Sequence, residues 1–258
     1  SKTPGRSPTR IPARDSGRAE LEALLGSWVK RQGKKMASDW RAAGAFADLR
    51  VVEIGQYTTA PLVSRQFAAL GAEVIKLEPP GGEGSRHWPP HQGGQGYFFT
   101  FSNSDKRSIT LDLRNKNDKL LFRSLLKSTD VLVENLKPGS LEKLGFNEAE
   151  LQRINPRLVY CAISGFGLKS IYPGRPAFDT VVQAMCGFMD LTRVGGMPMK
   201  SGISAADIMG GEIALLAIMA AIFYRDSSNQ GQSIDISMQD AGVWATQLEW
   251  QPSNDLLC

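Results

Sequence analysis

The sequence predicts an α/β protein with a Rossmann-like parallel sheet flanked by helices. Short apolar runs alternate with segments of helical spacing along the chain, which is typical of parallel sheets covered on both faces. The clearest example is at residues 49–78, where strand, loop, helix and strand follow one another. The composition, 42% hydrophobic and 22% charged over 258 residues, is that of a globular protein with a sizeable core.

Each element of the unit at 49–78 is indicated by its own residues. An apolar strand is predicted over 50–54, and Pro61 then stands near the first turn of a helix, where a missing N–H costs little. Gly71 is placed to end that helix, and a second apolar strand over 73–77 follows. The loop between strand and helix lacks the G-x-G-x-x-G spacing of dinucleotide sites. Such a βαβ unit predicts a ligand crevice at the carboxyl ends of the strands.

The rest of the body continues the alternation. Strands are predicted near 50–55, 73–77, 108–112, 130–134, 158–163 and 233–238. Helices are predicted near 60–70, 116–127, 147–153, 178–187 and 204–225. A Gly- and Pro-rich stretch at 81–96 predicts a long loop, and loops of this length are usually functional or mobile.

The amino-terminal segment differs in composition from the body. Residues 1–41 hold ten Lys or Arg against four acidic residues, a net charge of +6, so residues 42–258 carry −2 of the chain's total of +4. We expect a basic tail or linker over 1–45, disordered over 1–17 with one helix near 18–32, and a Rossmann-like domain over 46–258. A basic tail can bind nucleic acid. It contains two aromatic residues and no recognised nucleic-acid module, which favours a solvated tail.

The cysteines and the apolar runs indicate whether a metal site or a membrane span is expected. The three cysteines are far apart, with no metal-ligand or redox spacing, which predicts buried thiols and no metal site. No run of 18 apolar residues occurs, so no membrane span is expected, and 213–224 is interpreted as a buried helix. No secretory signal opens the sequence, and we expect a cytoplasmic protein.

A series of short motifs runs through the body in a fixed order. They are LGAEVIKLE (70–78), NSDKRSI (103–109), LDLR (111–114), DVLVEN (130–135), KPG (137–139), SGFG (164–167), PAFD (176–179) and SMQD (237–240). In order and spacing over about residues 48–245, the chain resembles the class III CoA-transferases. That family includes formyl-CoA transferase, carnitine CoA-transferase and α-methylacyl-CoA racemase. The resemblance implies coenzyme A as co-substrate and, for the full-length form, a homodimer.

A CoA site has clear chemical needs. The 3′-phosphate and pyrophosphate require cations, and adenine requires a flat apolar slot. Lys106, Arg107, Arg114, Lys137 and Lys143 offer positive charge near strand ends, although solvated surface charges are the alternative interpretation. The resemblance implies CoA contacts from Tyr57, Thr58, Thr59, Pro79, Leu111, Asp112, Leu113, Arg114, Asn135, Leu136, Lys137, Lys143, Pro176, Ala177, Phe178 and Asp179.

Asp207 is the candidate nucleophile. From local sequence alone, Ser204 and Asp207 resemble a capping box with Asp in place of Glu, and an acid in a first helical turn is favoured by the helix dipole. The family resemblance implies instead that Asp207 attacks the acyl-CoA thioester. The two roles are compatible, because the dipole would keep the carboxylate ionised and nucleophilic.

The expected activity is transfer of CoA between an acyl-CoA and a small carboxylic acid through an aspartyl-CoA thioester. A CoA-dependent lyase or hydrolase on the same scaffold, or a truncated CoA-binding protein without activity, are the alternatives. Phe178 stands where the racemase has a histidine, which disfavours two-base racemisation. Thr58 stands where formyl-CoA transferase has a glutamine, so the oxyanion donor is expected to differ. His87 and His91 are interpreted as exposed loop residues.

The resemblance also concerns chain length. Family members run to about twice the matched length, with a small second domain after the large one. We expect the C-terminal small domain to be absent from this chain, as in a fragment or a truncated form. The helix near 18–32 resembles a segment found late in the family's domains, which would fit a tandem protein.

Overall fold

The computed structural model describes residues 10–11, 44–172 and 174–249. Its main strands are β1 (Arg50–Ile54), β2 (Glu73–Glu78), β3 (Arg107–Thr110), β4 (Val131–Glu134), β5 (Val159–Ser164) and β6 (Ser233–Ser237). Its helices are α1 (Thr59–Ala69), α2 (Tyr97–Ser102), α3 (Lys116–Leu126), α4 (Ser140–Lys143), α5 (Glu148–Ile154), α6 (Asp179–Met185), α7 (Phe188–Leu191), α8 (Ala205–Ser228) and α9 (Met238–Ala245).

The six strands form one parallel sheet in the order β3-β2-β1-β4-β5-β6. The order reverses between β1 and β4, as in doubly wound Rossmann sheets. Residues Arg10–Ile11 add a two-residue parallel pairing to the outer edge of β3. The predicted α/β fold with a Rossmann-like parallel sheet is therefore confirmed.

Two apolar layers enclose the sheet. Val51 belongs to the layer that contains α1, α6, α8 and α9, and its neighbour Val52 belongs to the layer that contains α3, α4 and α5. Side chains of successive strand residues point to opposite faces, so a strand covered on both sides is mostly apolar. Phe67 anchors the first layer and Phe122 the second, and both are fully buried. This burial explains why β4 and β5 are mostly apolar in the sequence, whereas β1 (Arg50–Ile54) also carries the buried charges Arg50 and Glu53.

Helix α8 lies in the core along one face and is exposed along the other. By length and composition it could cross a membrane. Its Ala214 and Ile218 are fully buried in the first apolar layer, whereas Leu216 and Phe223 face outward. Close packing continues at Gly210, where a Cβ would lie 2.9 Å from Met238 Cγ. The interpretation of 213–224 as part of a buried helix is correct for this inner face.

Several local features differ from the sequence expectations. Helix α2 was not predicted, because its aromatic residues have modest helix propensity; it forms around the fully buried Phe99. The short helices α4 and α7 were also missed. The pairing of Arg10–Ile11 lies within the stretch expected to be disordered, where the edge of β3 offers unpaired backbone groups. The helix predicted near 18–32 lies outside the described residues.

Candidate active site

A cavity of about 450 Å³ opens at the carboxyl ends of β1 and β4, where the strand order reverses. This is the position at which doubly wound sheets bind ligands, and the volume suits a small-molecule site. We call it the switch-point cavity. It brings together many of the residues named from the sequence: Tyr57, Thr58, Thr59, Asn135, Leu136, Lys137, Pro176, Ala177, Phe178, Asp179 and Asp207.

The remaining named residues lie outside this lining. Leu111 and Leu113 are buried in the second apolar layer, so their side chains are core residues. Asp112 and Arg114 pair with each other at 2.9 Å, and the Arg114 side chain is 80% exposed. Pro79, Asp112 and Arg114 follow β2 and β3 at the same sheet edge, so a ligand reaching them would extend beyond the cavity along that edge. Lys143 is exposed at the end of α4.

Two of the five cations expected to face a phosphate do not. Lys106 is 2% exposed and its ammonium contacts the carboxylate of Glu53 at 2.8 Å. Arg107 opens β3, at the amino edge of the sheet, and pairs with Glu73 at 2.9 Å. The interpretation of Lys106 and Arg107 as phosphate-binding charges is therefore wrong, because one is consumed by an internal ion pair and the other lies at the opposite edge.

The amino terminus of α8 is capped from a neighbouring helix. Ser204, at the N-cap position, makes no side-chain cap hydrogen bond. Asp179 of α6 supplies it, since its Oδ1 accepts from the backbone N–H of Ala206 at 2.9 Å. The capping-box interpretation of Asp207 is therefore wrong. Asp207 lines the cavity, and its side chain is hydrogen-bonded to that of Thr58.

The pKa of the Asp207 carboxyl is higher than that of an ordinary aspartate. Burial, and next the charge of Asp179, raise its pKa to about 6, while the hydrogen bond from Thr58 and the charge of Lys200 act in the opposite direction. Desolvation thus outweighs the dipole effect expected from the sequence. At neutral pH most of the groups are still ionised, and the more basic carboxylate is a stronger nucleophile than an exposed aspartate.

Asp179 organises the chain around this carboxyl. Its Oδ2 accepts from Gln183 Nε2 at 2.8 Å and lies 3.2 Å from Lys200 Nζ. Lys200 also donates to the carbonyl of Ile203 at 3.1 Å. These contacts fix the segment before α8 to α6. Sequence reasoning missed Lys200, since no local pattern reveals a partner 21 residues away, and it also missed Gln183, one helical turn after Asp179.

Asn135 holds the loop after β1 in shape. Its Oδ1 accepts from the N–H of Gln56, and its Nδ2 donates to the carbonyl of Gln56, both at 2.9 Å. The same Nδ2 donates to Thr59 Oγ1 at 3.0 Å. Within this loop Tyr57 has φ of 63°, a left-handed conformation that is uncommon for a residue other than glycine. The Asn135 side chain is thus engaged within the protein.

An aromatic wall borders the cavity. Tyr57 stacks on Trp88 with ring centroids 4.8 Å apart and meets Phe178 edge-on at 6.0 Å. Phe98 packs against Trp88 at 5.5 Å. Such a surface offers a flat apolar face to a planar or acyl group. Trp88 and Phe98 were not singled out from the sequence, although the loop at 81–96, which contains Trp88, was predicted to be functional or mobile.

The histidines and the described cysteines lie away from the lining of the cavity. His87 and His91 are exposed, as predicted, and neither lines the cavity. Cys161 and Cys186 are buried free thiols, also as predicted. Across residues 44–172 and 174–249, no group of three His, Cys, Asp or Glu side chains is arranged to hold a metal ion.

Comparison with known proteins identifies the family. The model for CoA-transferase family III matches residues 46–254. Acetyl-CoA:oxalate CoA-transferase of Acetobacter aceti is 40% identical over 200 residues, covering 76% of this chain and 51% of that protein. Succinate–glutarate CoA-transferase of Agrobacterium fabrum is 36% identical over 204 residues, covering 76% and 51%.

Solved structures agree. A CaiB/BaiF family protein from Brucella suis has a TM-score of 0.76 at 36% identity, covering 80% of this chain and 57% of that one. A protein from Mycobacterium tuberculosis has the same TM-score of 0.76 at 29% identity, covering 82% and 60%. The chain spans about half the length of the curated relatives it matches. The resemblance noted in the sequence is confirmed, and the chain belongs to CoA-transferase family III.

Proposed function

We propose that this chain transfers CoA between an acyl-CoA and a small carboxylic acid, with Asp207 as the nucleophile. The observation that carries the proposal is the placement of Asp207. Its carboxyl lines the switch-point cavity and is hydrogen-bonded to Thr58. Asp179, not Asp207, accepts the hydrogen bond from the backbone N–H of Ala206 at the start of α8. A carboxylate released from capping and raised in pKa is suited to attack a thioester.

The first half of the reaction exchanges two acyl bonds. The Asp207 carboxylate attacks the thioester carbonyl, the C–S bond breaks, and CoA leaves as the thiolate, which leaves an acyl–aspartyl anhydride. The thiolate then attacks the aspartyl carbonyl, and the donor acid departs as its carboxylate. Asp207 now carries CoA as a thioester. No proton needs to move in either step, which agrees with a site in which no histidine lines the cavity.

The second half repeats these steps in reverse. The acceptor carboxylate attacks the aspartyl thioester and displaces the CoA thiolate, and the thiolate attacks the acceptor carbonyl of the new anhydride. The product acyl-CoA forms and the Asp207 carboxylate is regenerated. Each step exchanges acyl bonds of comparable energy, so exclusion of water is the main requirement for transfer over hydrolysis.

Charge and shape around the cavity suit a CoA ester. Lys137 and Arg175 are exposed cations on its lining and would meet phosphate or carboxylate groups. The wall of Tyr57, Trp88 and Phe178 would bind an apolar or planar part. Because the relatives act on pairs such as acetyl-CoA with oxalate and succinate with glutarate, we propose small dicarboxylic acids as acceptors. A homodimer and a cytoplasmic location are part of the same proposal.

Calorimetric titration with CoA, with NAD as control, is the first test. The proposal predicts saturable binding of CoA and none of NAD. Exchange is then measured with acetyl-, formyl- and succinyl-CoA against oxalate, succinate and glutarate. Asp207→Asn should retain CoA binding and lose exchange. Release of free CoA without an acceptor would support a lyase or hydrolase instead, and CoA binding without turnover would indicate a binding protein.

A further inference from the structure

Four buried charges lie directly beneath the loop that carries Tyr57 and Thr58. Glu53 Oε1 is 2.6 Å from Lys76 Nζ, and Glu53 Oε2 is 2.8 Å from Lys106 Nζ. Lys76 Nζ is also 2.9 Å from Glu83 Oε2. All four side chains are fully buried in these ion pairs. We call Glu53, Lys76, Glu83 and Lys106 the buried charge cluster.

The cluster holds both ends of the segment 55–61, which consists of the loop after β1 and the first residues of α1. Lys76 Nζ donates to the carbonyl of Gly55 at 2.9 Å, at the start of the loop. Lys106 Nζ donates to the carbonyl of Pro61 at 2.8 Å, in the first turn of α1. A Cβ on Gly55 would lie 2.8 Å from Glu53 Oε1 and 3.0 Å from Asn135 Oδ1, so the start of the loop is packed between the cluster and the Asn135 side chain.

The cluster also reaches the aromatic wall through Glu83. The hydroxyl of Ser85 bonds to Glu83 and fixes the short 3₁₀ turn Gly84–His87. A Cβ on Gly84 would lie 3.0 Å from Tyr57 Oη, so this turn packs closely under Tyr57. Trp88 follows the turn and stacks on Tyr57. One set of charges therefore contacts both segments that shape this side of the cavity.

Stability is a weak reason for such a cluster, because apolar side chains of the same volume usually serve as well as buried ion pairs. Burial would raise the pKa of Glu53, but Lys106 and Lys76 lower it to about 2. We propose that the buried charge cluster positions the segment 55–61, so that Thr58 holds Asp207 in its reactive orientation. This inference rests on the proposed function, and Glu53 and Lys106 are positioning residues in it.

A balanced double variant separates positioning from stability. Lys106→Met alone leaves the cluster with an excess negative charge and should destabilise it. Glu53→Gln with Lys106→Met removes one charge of each sign, so folding should be largely recovered. The ammonium bond to Pro61 stays lost. We expect kcat for exchange to fall about 10- to 100-fold, with KM for acyl-CoA changed less than about threefold.

A milder pair of variants guards against misfolding. Ser64→Ala removes the hydroxyl that donates to Glu53 Oε2 at 2.8 Å, and Thr129→Val removes a buried hydroxyl that donates to Leu125 at 2.8 Å, far from the cavity. Both lose one buried hydrogen bond and should cost similar stability. Ser64→Ala should lower kcat about threefold or more, and Thr129→Val should leave it unchanged.

A fluorescence readout works even without turnover. In a chain whose other tryptophans are replaced by phenylalanine, Trp88 reports on its stack with Tyr57. The double variant should increase acrylamide quenching of Trp88, and Thr129→Val should not. If the parent chain shows no exchange, the proposed function fails while this readout still tests positioning. A folded double variant with parental quenching, or with parental kcat where the parent is active, would overturn the inference.

Discussion

Replacing Asp207 with asparagine should stabilise the folded chain at neutral pH. The pKa of Asp207 is raised from 3.8 to about 6. Since the folded state holds this proton more tightly than the unfolded state, the stability that the group contributes is full below pH 3.8 and is lost as pH rises through 6. The shift of about 2 units corresponds to about 3 kcal/mol at pH 7. Asparagine does not titrate and retains a partner for Thr58.

Urea unfolding at two pH values measures this effect. Between pH 7.5 and pH 5 the advantage of Asp207→Asn over the parent should shrink by about 1.4 kcal/mol, because the parent's carboxyl becomes protonated. Asp240→Asn is the matched control, since Asp240 also lies in the first turn of a helix but is exposed. Its effect should change by less than about 0.5 kcal/mol. An equal Asp207→Asn effect at both pH values would refute the burial argument.

Three further predictions concern the surroundings of the site. Asp179→Asn removes the negative charge that, after burial, raises the pKa of Asp207 most. The acidic limb of the pH profile for exchange should therefore move to lower pH. An unchanged limb would contradict a role of the Asp179 charge in the pKa of Asp207. Asn135→Ala removes both hydrogen bonds to the Gln56 backbone and should lower kcat about 10-fold or more. The control Asn117→Ala, at an exposed asparagine, should leave kcat unchanged. Equal kcat values for the two variants would contradict the role of Asn135 in shaping the loop. Leu132→Ala leaves a cavity in the second apolar layer and should lower the free energy of unfolding by about 2–5 kcal/mol. Leu120→Ala, at an exposed leucine, should lower it by less than about 1 kcal/mol. Similar losses would show that the two sites are not distinguished by burial.

Local periodicity was enough to predict the sheet, whereas Asp207 was singled out by the family resemblance and not by any local pattern. The mostly apolar runs of β4 and β5 exist because both faces are covered, and that signal is contained in four to six adjacent residues. The cap on α8 was assigned to the wrong carboxylate because Asp179, 27 residues earlier, meets Ala206 only in the folded chain.

The same limit applies to charge. Lys106 looks like a surface cation in the sequence, and only the fold brings it to Glu53, 53 residues away. Trp88 could be assigned to a loop but not to the cavity wall, because its stack with Tyr57 depends on how that loop returns over β1. The sequence therefore revealed most of the helices and strands but not the contacts between segments that are distant in the chain.

Covalent trapping at Asp207 tests the central claim most directly. The chain is incubated with an acyl-CoA that supports exchange, quenched with hydroxylamine, digested, and analysed by mass spectrometry. The account predicts a hydroxamate on Asp207, dependent on acyl-CoA and absent from Asp207→Asn. Exchange that proceeds with no adduct on Asp207, or that persists in Asp207→Asn, would contradict it.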